Sequence, residues 1–299
     1  MVTRRTVITA GAAGCLSVAA AAAGGYGLIE RGVLPGRIRL NQLLGRNQPP
    51  PAVPTTAVGA LVQGSFWSRM RGTEVNWSLA YPPGHRVGDE LAVCLALHGR
   101  YEDNAFPFAT LHLDSYLAKA VEDGVPPFAL ASIDGGSATN WHHRASGDDP
   151  QAMIVDEFIP LLRNKGLSTD TLGLWGWSLG GYGALLLATD LPHRQVGPVV
   201  ATSPALWLAA EDTAPDVFDD AADFARNNVF DRLDEFADVQ LRIDIGDNDS
   251  FTPNVEQFIA ALPEQPSGGV TPGFHDAAYW MRAAPDEIAF IGRRLAGSA

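Results

Sequence analysis

Continuous apolar runs and amphipathic segments alternate along most of this chain. Residues 91–97 and 128–133 are almost entirely apolar, which is typical of strands buried on both faces of a parallel sheet. Further strands are predicted at residues 60–67, 74–81, 172–175, 196–201 and 239–245. Helical spacing of apolar residues separates them at residues 111–121, 153–163, 182–188 and 286–295. This alternation predicts an α/β fold with a mainly parallel central sheet flanked by helices.

The size of the chain indicates one folded domain behind a linker. With 299 residues, 46% of them hydrophobic and 18% charged, the chain can fold around a single large core. Residues 30–57 carry several prolines and few large apolar side chains, a composition typical of a linker. The folded domain is therefore predicted over residues 58–299.

The N-terminus has the features of an export signal. Arg4 and Arg5 precede an uncharged stretch, residues 7–29, that is rich in alanine and glycine, as in twin-arginine signals. Residues 19–23 are small enough for cleavage by a signal peptidase, and the stretch is also long enough to remain as an anchor. We expect residues 1–29 to direct export across a bacterial membrane. The rest of the chain is then secreted, or anchored on the outer side through this segment alone.

Composition limits the partners and cofactors. The chain has 21 Lys and Arg against 34 Asp and Glu, a net charge of -13 that repels phosphate backbones and excludes nucleic acid as a partner. Cys15 and Cys94 are too few for a disulfide framework or a thiolate metal cluster. The adjacent His142 and His143 have no third ligand at a suitable spacing. We therefore predict no metal and no cofactor.

A Gly-x-Ser-x-Gly motif at residues 176–180 lies between a predicted strand and a predicted helix. This is the setting of a nucleophile elbow, in which a sharp turn lifts a serine hydroxyl out of the sheet and flanking glycines avoid clashes. We expect Ser178 to be the nucleophile and the backbone N–H of Leu179 to face the carbonyl oxygen under attack. The alternative role for Ser178 is to cap the helix only. That role would not require a strand before the serine.

A serine nucleophile needs a histidine base and an acid, and after an elbow of this kind both follow the serine in chain order. Of the seven histidines, only His193 and His275 do so. His193 comes just past the elbow helix, where a helix-end role is the simpler interpretation, and His275 is therefore predicted as the base. The acid is expected after the strand at 239–245, where Asp247 and Asp249 qualify about equally.

The second donor to the oxyanion is expected from the loop after the strand at 91–97. In this loop the backbone N–H of Arg100 is the predicted donor, with Tyr101 directly beside it. His98 precedes these two residues in the loop. Its position favours a role in shaping the loop over a role as the catalytic base.

Four motifs carry a resemblance to a known family. They are Leu-His-Gly at 97–99, Gly-Trp-Ser-Leu-Gly-Gly-Tyr-Gly-Ala at 176–184, Gly-Asp-Asn-Asp-Ser-Phe at 246–251 and Gly-Phe-His at 273–275. Together they resemble esterases of the esterase D group in the α/β-hydrolase superfamily, which includes S-formylglutathione hydrolases and secreted mycolyltransferases. In that family the acid precedes a small or polar residue followed by Phe, which implies Asp249. A substrate pocket is predicted to be lined by Tyr101, Trp141 and Trp177.

The expected function is hydrolysis of a small-molecule or lipid carboxylic ester through an acyl-enzyme on Ser178. One alternative is transfer of the acyl group to a sugar or lipid acceptor at the cell envelope, which would use the same residues. Another is a non-catalytic envelope-binding protein on a hydrolase scaffold, which would not require the predicted set of Ser178, Asp249 and His275.

Overall fold

A computed structural model describes residues 37–46, 48–136 and 139–297. The chain divides into two compact units, Met1–Asn47 and Gln48–Ala299. The described part of the first unit contains one helix, α1 at Arg37–Leu43, within the segment predicted as a linker. The predicted export segment, residues 1–29, lies outside the described residues. Within the described ranges, every helix is too short or too polar to cross a bilayer.

The second unit starts before the predicted residue 58. Val53 packs against the apolar core, and the hydroxyl of Thr56 donates a hydrogen bond to Glu122 at 3.0 Å. The backbone carbonyl of Gln48 accepts a hydrogen bond from Arg282 at 3.3 Å. The proline-containing residues 48–57 therefore belong to the folded unit. The apolar contact of Val53 and these hydrogen bonds hold them to it.

An eight-stranded sheet forms the centre of this unit, in the order β1-β2-β4-β3-β5-β6-β7-β8. β1 pairs with β2 and β2 with β4 in antiparallel fashion, and the other neighbours are parallel. The strands are β1 Leu61–Ser68, β2 Thr73–Ala80, β3 Ala92–Leu97, β4 Ala129–Ile133, β5 Ser168–Trp177, β6 Val196–Thr202, β7 Leu241–Gly246 and β8 Ser267–Thr271. The predicted α/β fold with a mainly parallel sheet is confirmed.

Helices cover both faces of the sheet. They are α2 Phe106–Ala109, α3 Leu113–Glu122, α4 Pro150–Met153, α5 Ile159–Asn164, α6 Leu179–Asp190, α7 Ala221–Asn227, α8 Thr252–Ala261 and α9 Ala277–Gly297, with a π-helical turn Ile154–Phe158 joining α4 to α5. Short 3-10 turns lie at His193–Gln195, Ala210–Asp212 and Val229–Phe236.

Alternate residues of β3 enter two separate apolar cores. Val93 and Leu95 pack with α4, α5 and α6, whereas Cys94 and Ala96 pack with α3 and α9. All four are at most 1% exposed. Successive side chains of a strand point to opposite faces, so an uninterrupted apolar run is what a strand between two helical layers requires. Burial also raises the pKa of the Cys94 thiol, which keeps it protonated.

Two buried carboxyl groups lie where α9 packs against β6 and β7. Glu287 is fully buried and accepts a hydrogen bond from the hydroxyl of Thr202 at 2.6 Å. Asp244, 5% exposed, forms an ion pair with Arg242 at 2.6 Å. Burial raises the pKa of Glu287 well above its ordinary value, and the nearby charge of Asp244 adds to the shift. The pKa of Asp244 is also raised, again mainly by burial.

Glu287→Gln is expected to stabilise the fold increasingly as the pH rises. A carboxyl whose pKa is raised in the folded state stabilises fully below its unfolded pKa, about 4.3 for Glu, and loses that contribution as the pH rises toward the folded pKa. The loss approaches about 1.4 kcal/mol per pH unit for one proton. Glutamine keeps an acceptor for Thr202 and carries no charge. Urea unfolding of both proteins between pH 5.5 and 8 measures the difference, and a difference independent of pH would contradict this account.

Candidate active site

A sharp turn connects β5 to α6 and carries Ser178. This serine has φ 55° and ψ -123°, a conformation that side-chain-bearing residues rarely adopt. Its N–H donates to the carbonyl of Thr202 at 3.0 Å, and its own carbonyl accepts the N–H of Ala205 at 3.0 Å. A Cβ at Gly176 would overlap the backbone of Gly180, so the turn needs glycine there. These hydrogen bonds with the end of β6 and the residues after it hold the strained turn in place. The turn projects the Ser178 hydroxyl at the carboxyl edge of the sheet.

The side chains of Ser178, His275 and Asp249 form a continuous hydrogen-bonded row. Nε2 of His275 lies 2.9 Å from Oγ of Ser178, and Nδ1 lies 2.7 Å from Oδ2 of Asp249. His275 comes from the loop between β8 and α9, and Asp249 from the turn after β7. The Asp249 side chain is completely buried, whereas that of His275 is 27% exposed. A buried carboxylate at Nδ1 holds the imidazole with its proton on that nitrogen, which leaves Nε2 free to take the serine proton.

Asp247 and Asp249 have different partners, although the motif alone leaves both open. Oδ1 of Asp247 accepts the N–H of Gly273 at 3.0 Å, and the N–H of Asp247 donates to Thr271 at 2.8 Å. Asp247 therefore ties the turn after β7 to the loop that carries His275. Asp249 forms the hydrogen bond to Nδ1 of the imidazole, as the family resemblance implies.

His193, the other histidine that follows the serine, lies in an exposed 3-10 turn. Its Nε2 is 3.1 Å from the backbone carbonyl of Ala237, and no contact with Ser178 is found among the described residues. The structure thus brings His275 and not His193 to the nucleophile.

The loop after β3 lies directly beside the nucleophile. A Cβ built on Gly99 would be 3.3 Å from Cβ of Ser178, so only glycine allows this approach without displacing its neighbours. Arg100, whose N–H is predicted to bind the oxyanion, follows in the same loop. Leu179, the other predicted donor, is the first residue of α6, where the free N–H groups of the helix favour negative charge.

The side chains of Arg100 and Tyr101 lie at the outer rim of this loop. Nη2 of Arg100 donates to the carbonyl of Pro215 at 2.7 Å, and its guanidinium lies 4.8 Å from the ring centroid of Tyr101. Tyr101 is 73% exposed and has φ 62°. It therefore presents an aromatic face to solvent, and its predicted part in the substrate pocket stays a prediction.

The burial of Trp141 and Trp177 contradicts the prediction that they line a substrate pocket. They are 4% and 1% exposed. The Trp141 indole fills the space left by Gly135 and Gly183 and donates to the carbonyl of His98 at 3.1 Å. Close packing leaves the rings of the two tryptophans no surface that a ligand could contact. They therefore support the site by packing against its residues.

Two aromatic residues beside the imidazole are absent from the predicted site. The rings of Phe251 and Trp280 each lie 5.4 Å from that of His275, and Trp207 packs edge-on against Phe251 at 5.3 Å. They shield one side of the histidine from water, which strengthens its hydrogen bonds. Their positions shortly after Asp249 and His275 in the chain are the signal that could have identified them.

The two adjacent histidines bind different carboxylates. Nε2 of His142 lies 2.9 Å from Oδ2 of Asp223, and both side chains are buried. His143 is exposed and pairs instead with Asp149 at 3.1 Å. The bonds that Asp223 accepts from Asp219 and His142 lower its pKa although burial acts in the opposite direction. No group of three or more metal-ligating side chains is found within the described ranges.

Comparisons with known proteins agree with this architecture. The family model described as "Putative esterase" matches residues 68–286, and no curated protein sequence matches the chain. A ferulic acid esterase superposes with a TM-score of 0.69 at 18% identity, covering 79% of this chain and 99% of that one. FphF, a fluorophosphonate-binding serine hydrolase of Staphylococcus aureus, gives 0.65 at 19%, covering 79% and 99%. An S-formylglutathione hydrolase from Agrobacterium tumefaciens gives 0.62 at 16%, covering 83% and 98%.

The sheet order, the elbow after β5 and the superpositions define an α/β-hydrolase fold. Since the matched region spans most of the chain, this protein belongs to the putative esterase family. It is therefore a carboxylic ester hydrolase.

Proposed function

We propose that this protein hydrolyses small carboxylic esters through an acyl-enzyme formed on Ser178. The observation that carries the proposal is the unbroken row of hydrogen bonds from Ser178 through His275 to Asp249, at 2.9 and 2.7 Å. These distances are within the reach needed for proton transfer between nucleophile and base.

The reaction follows from the positions of these atoms. His275 Nε2 takes the proton of Ser178 as Oγ attacks the acyl carbon, and the backbone N–H groups of Leu179 and Arg100 stabilise the oxyanion. The same imidazole then protonates the departing alcohol. Water, activated by His275, attacks the acyl-enzyme and releases the acid. Asp249 keeps the imidazole oriented and stabilises its charged form throughout.

The acyl group is proposed to be apolar. Phe251 is partly exposed, and its ring lies 5.4 Å from that of His275 and packs against Trp207. An acyl group bound at Ser178 would therefore have an apolar neighbour. Related structures include a feruloyl esterase module complexed with sinapinate, an aromatic acid. An aromatic or short aliphatic acyl group fits these surroundings.

A panel of p-nitrophenyl esters of increasing chain length, together with methyl ferulate and S-formylglutathione, tests this function. We expect turnover of at least one oxygen ester by the wild-type protein, with acyl preference set by the pocket shape. Turnover in the presence of glycerol or trehalose measures whether water or an alcohol receives the acyl group. Absence of turnover for every ester would contradict the proposal, and preferential acylation of the sugar would favour the acyltransferase alternative.

We further propose that residues 1–29 direct export through a twin-arginine signal and that the hydrolase acts outside the cytoplasm. The support is the Arg4-Arg5 pair ahead of the uncharged stretch at 7–29.

Replacement of both Arg4 and Arg5 by lysine is expected to leave the protein in the cytoplasm, because recognition of these signals requires the arginine pair. Fractionation of expressing cells, followed by immunoblotting and esterase assay, measures the distribution. Arg31→Lys, which lies after the uncharged stretch, is the matched control and should be exported normally. Unchanged export of the double variant would rule out this route.

A further inference from the structure

The Glu102 carboxylate bridges the oxyanion loop and the nucleophile turn. Its Oε2 accepts two hydrogen bonds at 2.7 Å each, one from the N–H of Gly99 and one from the indole N–H of Trp177. Gly99 directly precedes Arg100, the predicted oxyanion donor, and Trp177 directly precedes Ser178. One oxygen atom therefore joins the two segments whose relative position determines where the oxyanion is bound.

His98 holds the next peptide unit, which joins Gly99 to Arg100. Its Nε2 accepts the N–H of Gly135 at 3.0 Å, so in the neutral ring the proton is on Nδ1, which donates to the carbonyl of Gly99 at 2.8 Å. In a trans peptide the C=O and the N–H point in opposite directions. The bond from His98 to the Gly99 carbonyl therefore sets the direction of the Arg100 N–H.

Both polar groups of Gly99 are thus held by side chains that are at least partly buried. A Cβ at Gly99 would lie 3.0 Å from Oε2 of Glu102, so the carboxylate approaches this closely only because the residue is glycine. Oxyanion donors accelerate acyl transfer only when they are held in place before the reaction, and a displacement of about 1 Å is enough to weaken them greatly.

We propose that Glu102 is a positioning residue, which holds the N–H of Gly99, directly before Arg100, against the Ser178 turn so that the oxyanion donors converge. This inference rests on the proposed acyl-enzyme chemistry at Ser178. Glu102 acts through the backbone of its neighbours and not on the substrate.

The charge of Glu102 has a second effect on the site. The side chain is partly buried, and burial raises its pKa, while the bonds from Trp177 and Gly99 act in the opposite direction. In its ionised form Glu102 favours the protonated imidazole of His275, the species formed when the serine proton is transferred.

The test compares Glu102→Ala and Glu102→Gln with the wild-type protein, with Glu90→Ala, an exposed glutamate before β3, as the control. Removal of one oxyanion donor costs roughly 10²- to 10³-fold in kcat, and a misplaced donor should cost less, about 10- to 100-fold. We expect that fall in kcat for Glu102→Ala, with KM changed less than about threefold because ground-state binding is untouched.

Glutamine retains an oxygen that can accept both N–H groups, so Glu102→Gln should keep kcat within about fivefold of wild type. The rate of labelling by a fluorophosphonate should fall in Glu102→Ala in proportion to kcat. Glu90→Ala should match wild type in every measurement.

The proposal is overturned if Glu102→Ala retains wild-type kcat, if its defect is confined to KM, or if both variants lose activity only in step with thermal stability. Those results differ from failure of the proposed function, in which the wild-type protein itself neither hydrolyses esters nor reacts with the probe.

Discussion

Ser178→Ala is expected to reduce kcat for ester hydrolysis by on the order of 10⁶-fold, the loss that follows removal of the nucleophile from a serine hydrolase. The physical reason is that no other hydroxyl replaces Oγ at 2.9 Å from His275 Nε2 among the described residues. Any residual rate would come from binding and the oxyanion donors alone. Initial rates with the best ester of the panel, at enzyme concentrations high enough to detect residual turnover, measure the effect.

Ser132→Ala is the matched control for this substitution. Ser132 is fully buried in β4, and its hydroxyl has no hydrogen-bond partner among the described residues. Its replacement should leave activity within about twofold of wild type, because substitutions away from the reacting groups change catalysis little. If Ser132→Ala and Ser178→Ala lost activity equally, a general sensitivity of the sheet would explain both results.

Asp249→Asn is expected to lower kcat by about 10⁴-fold, since an amide at this position favours the wrong tautomer of the imidazole. Oδ2 of Asp249 accepts from His275 Nδ1 at 2.7 Å and Oδ1 accepts the N–H of Phe251 at 2.9 Å, so the site holds an ionised acceptor. Steady-state kinetics near neutral pH, with circular dichroism to check folding, measure the effect.

Asp247→Asn is the control for the acid. Asparagine keeps an oxygen for the N–H of Gly273, so the loop that carries His275 should stay in place and kcat should remain within about tenfold of wild type. The assignment of Asp249 is wrong if Asp247→Asn abolishes turnover while Asp249→Asn does not.

The fold and the row of site residues were accessible from sequence because their signals are local. Strands buried on both faces appear as uninterrupted apolar runs, and β3 is found where its run predicts it. The elbow has a short motif in a defined setting, and the order of residues in such proteins leaves few histidines to choose from. By contrast, β8 contains Gly268 and Gly269 and is largely exposed, so it carries no apolar pattern.

The start of α9 shows a different reason why a helix boundary is not predicted from sequence. The spacing of apolar residues predicts a helix at residues 286–295, directly after Pro285. In the structure α9 runs from Ala277 to Gly297 with Pro285 inside it. The packing of Tyr279 and Trp280 against the core stabilises the earlier turns despite the missing N–H. Tertiary contacts of this kind are not visible in a local pattern.

Side-chain direction explains the errors at the site. Trp175 and Trp177 are two residues apart in β5 and enter the same apolar core, as the period of a strand requires, so the position next to Ser178 does not place Trp177 in a pocket. Glu102 could not be identified from sequence, because only the folded sheet brings the indole of Trp177, at the end of β5, to the loop that carries Glu102.

The most direct measurement is the site of covalent labelling by a fluorophosphonate probe, located by mass spectrometry of proteolytic peptides. We expect a single stoichiometric adduct on Ser178, and strongly reduced labelling in His275→Ala because the serine is no longer deprotonated. An adduct on a different residue, or no adduct on folded wild-type protein, would contradict the assignment of Ser178 as the nucleophile of this esterase.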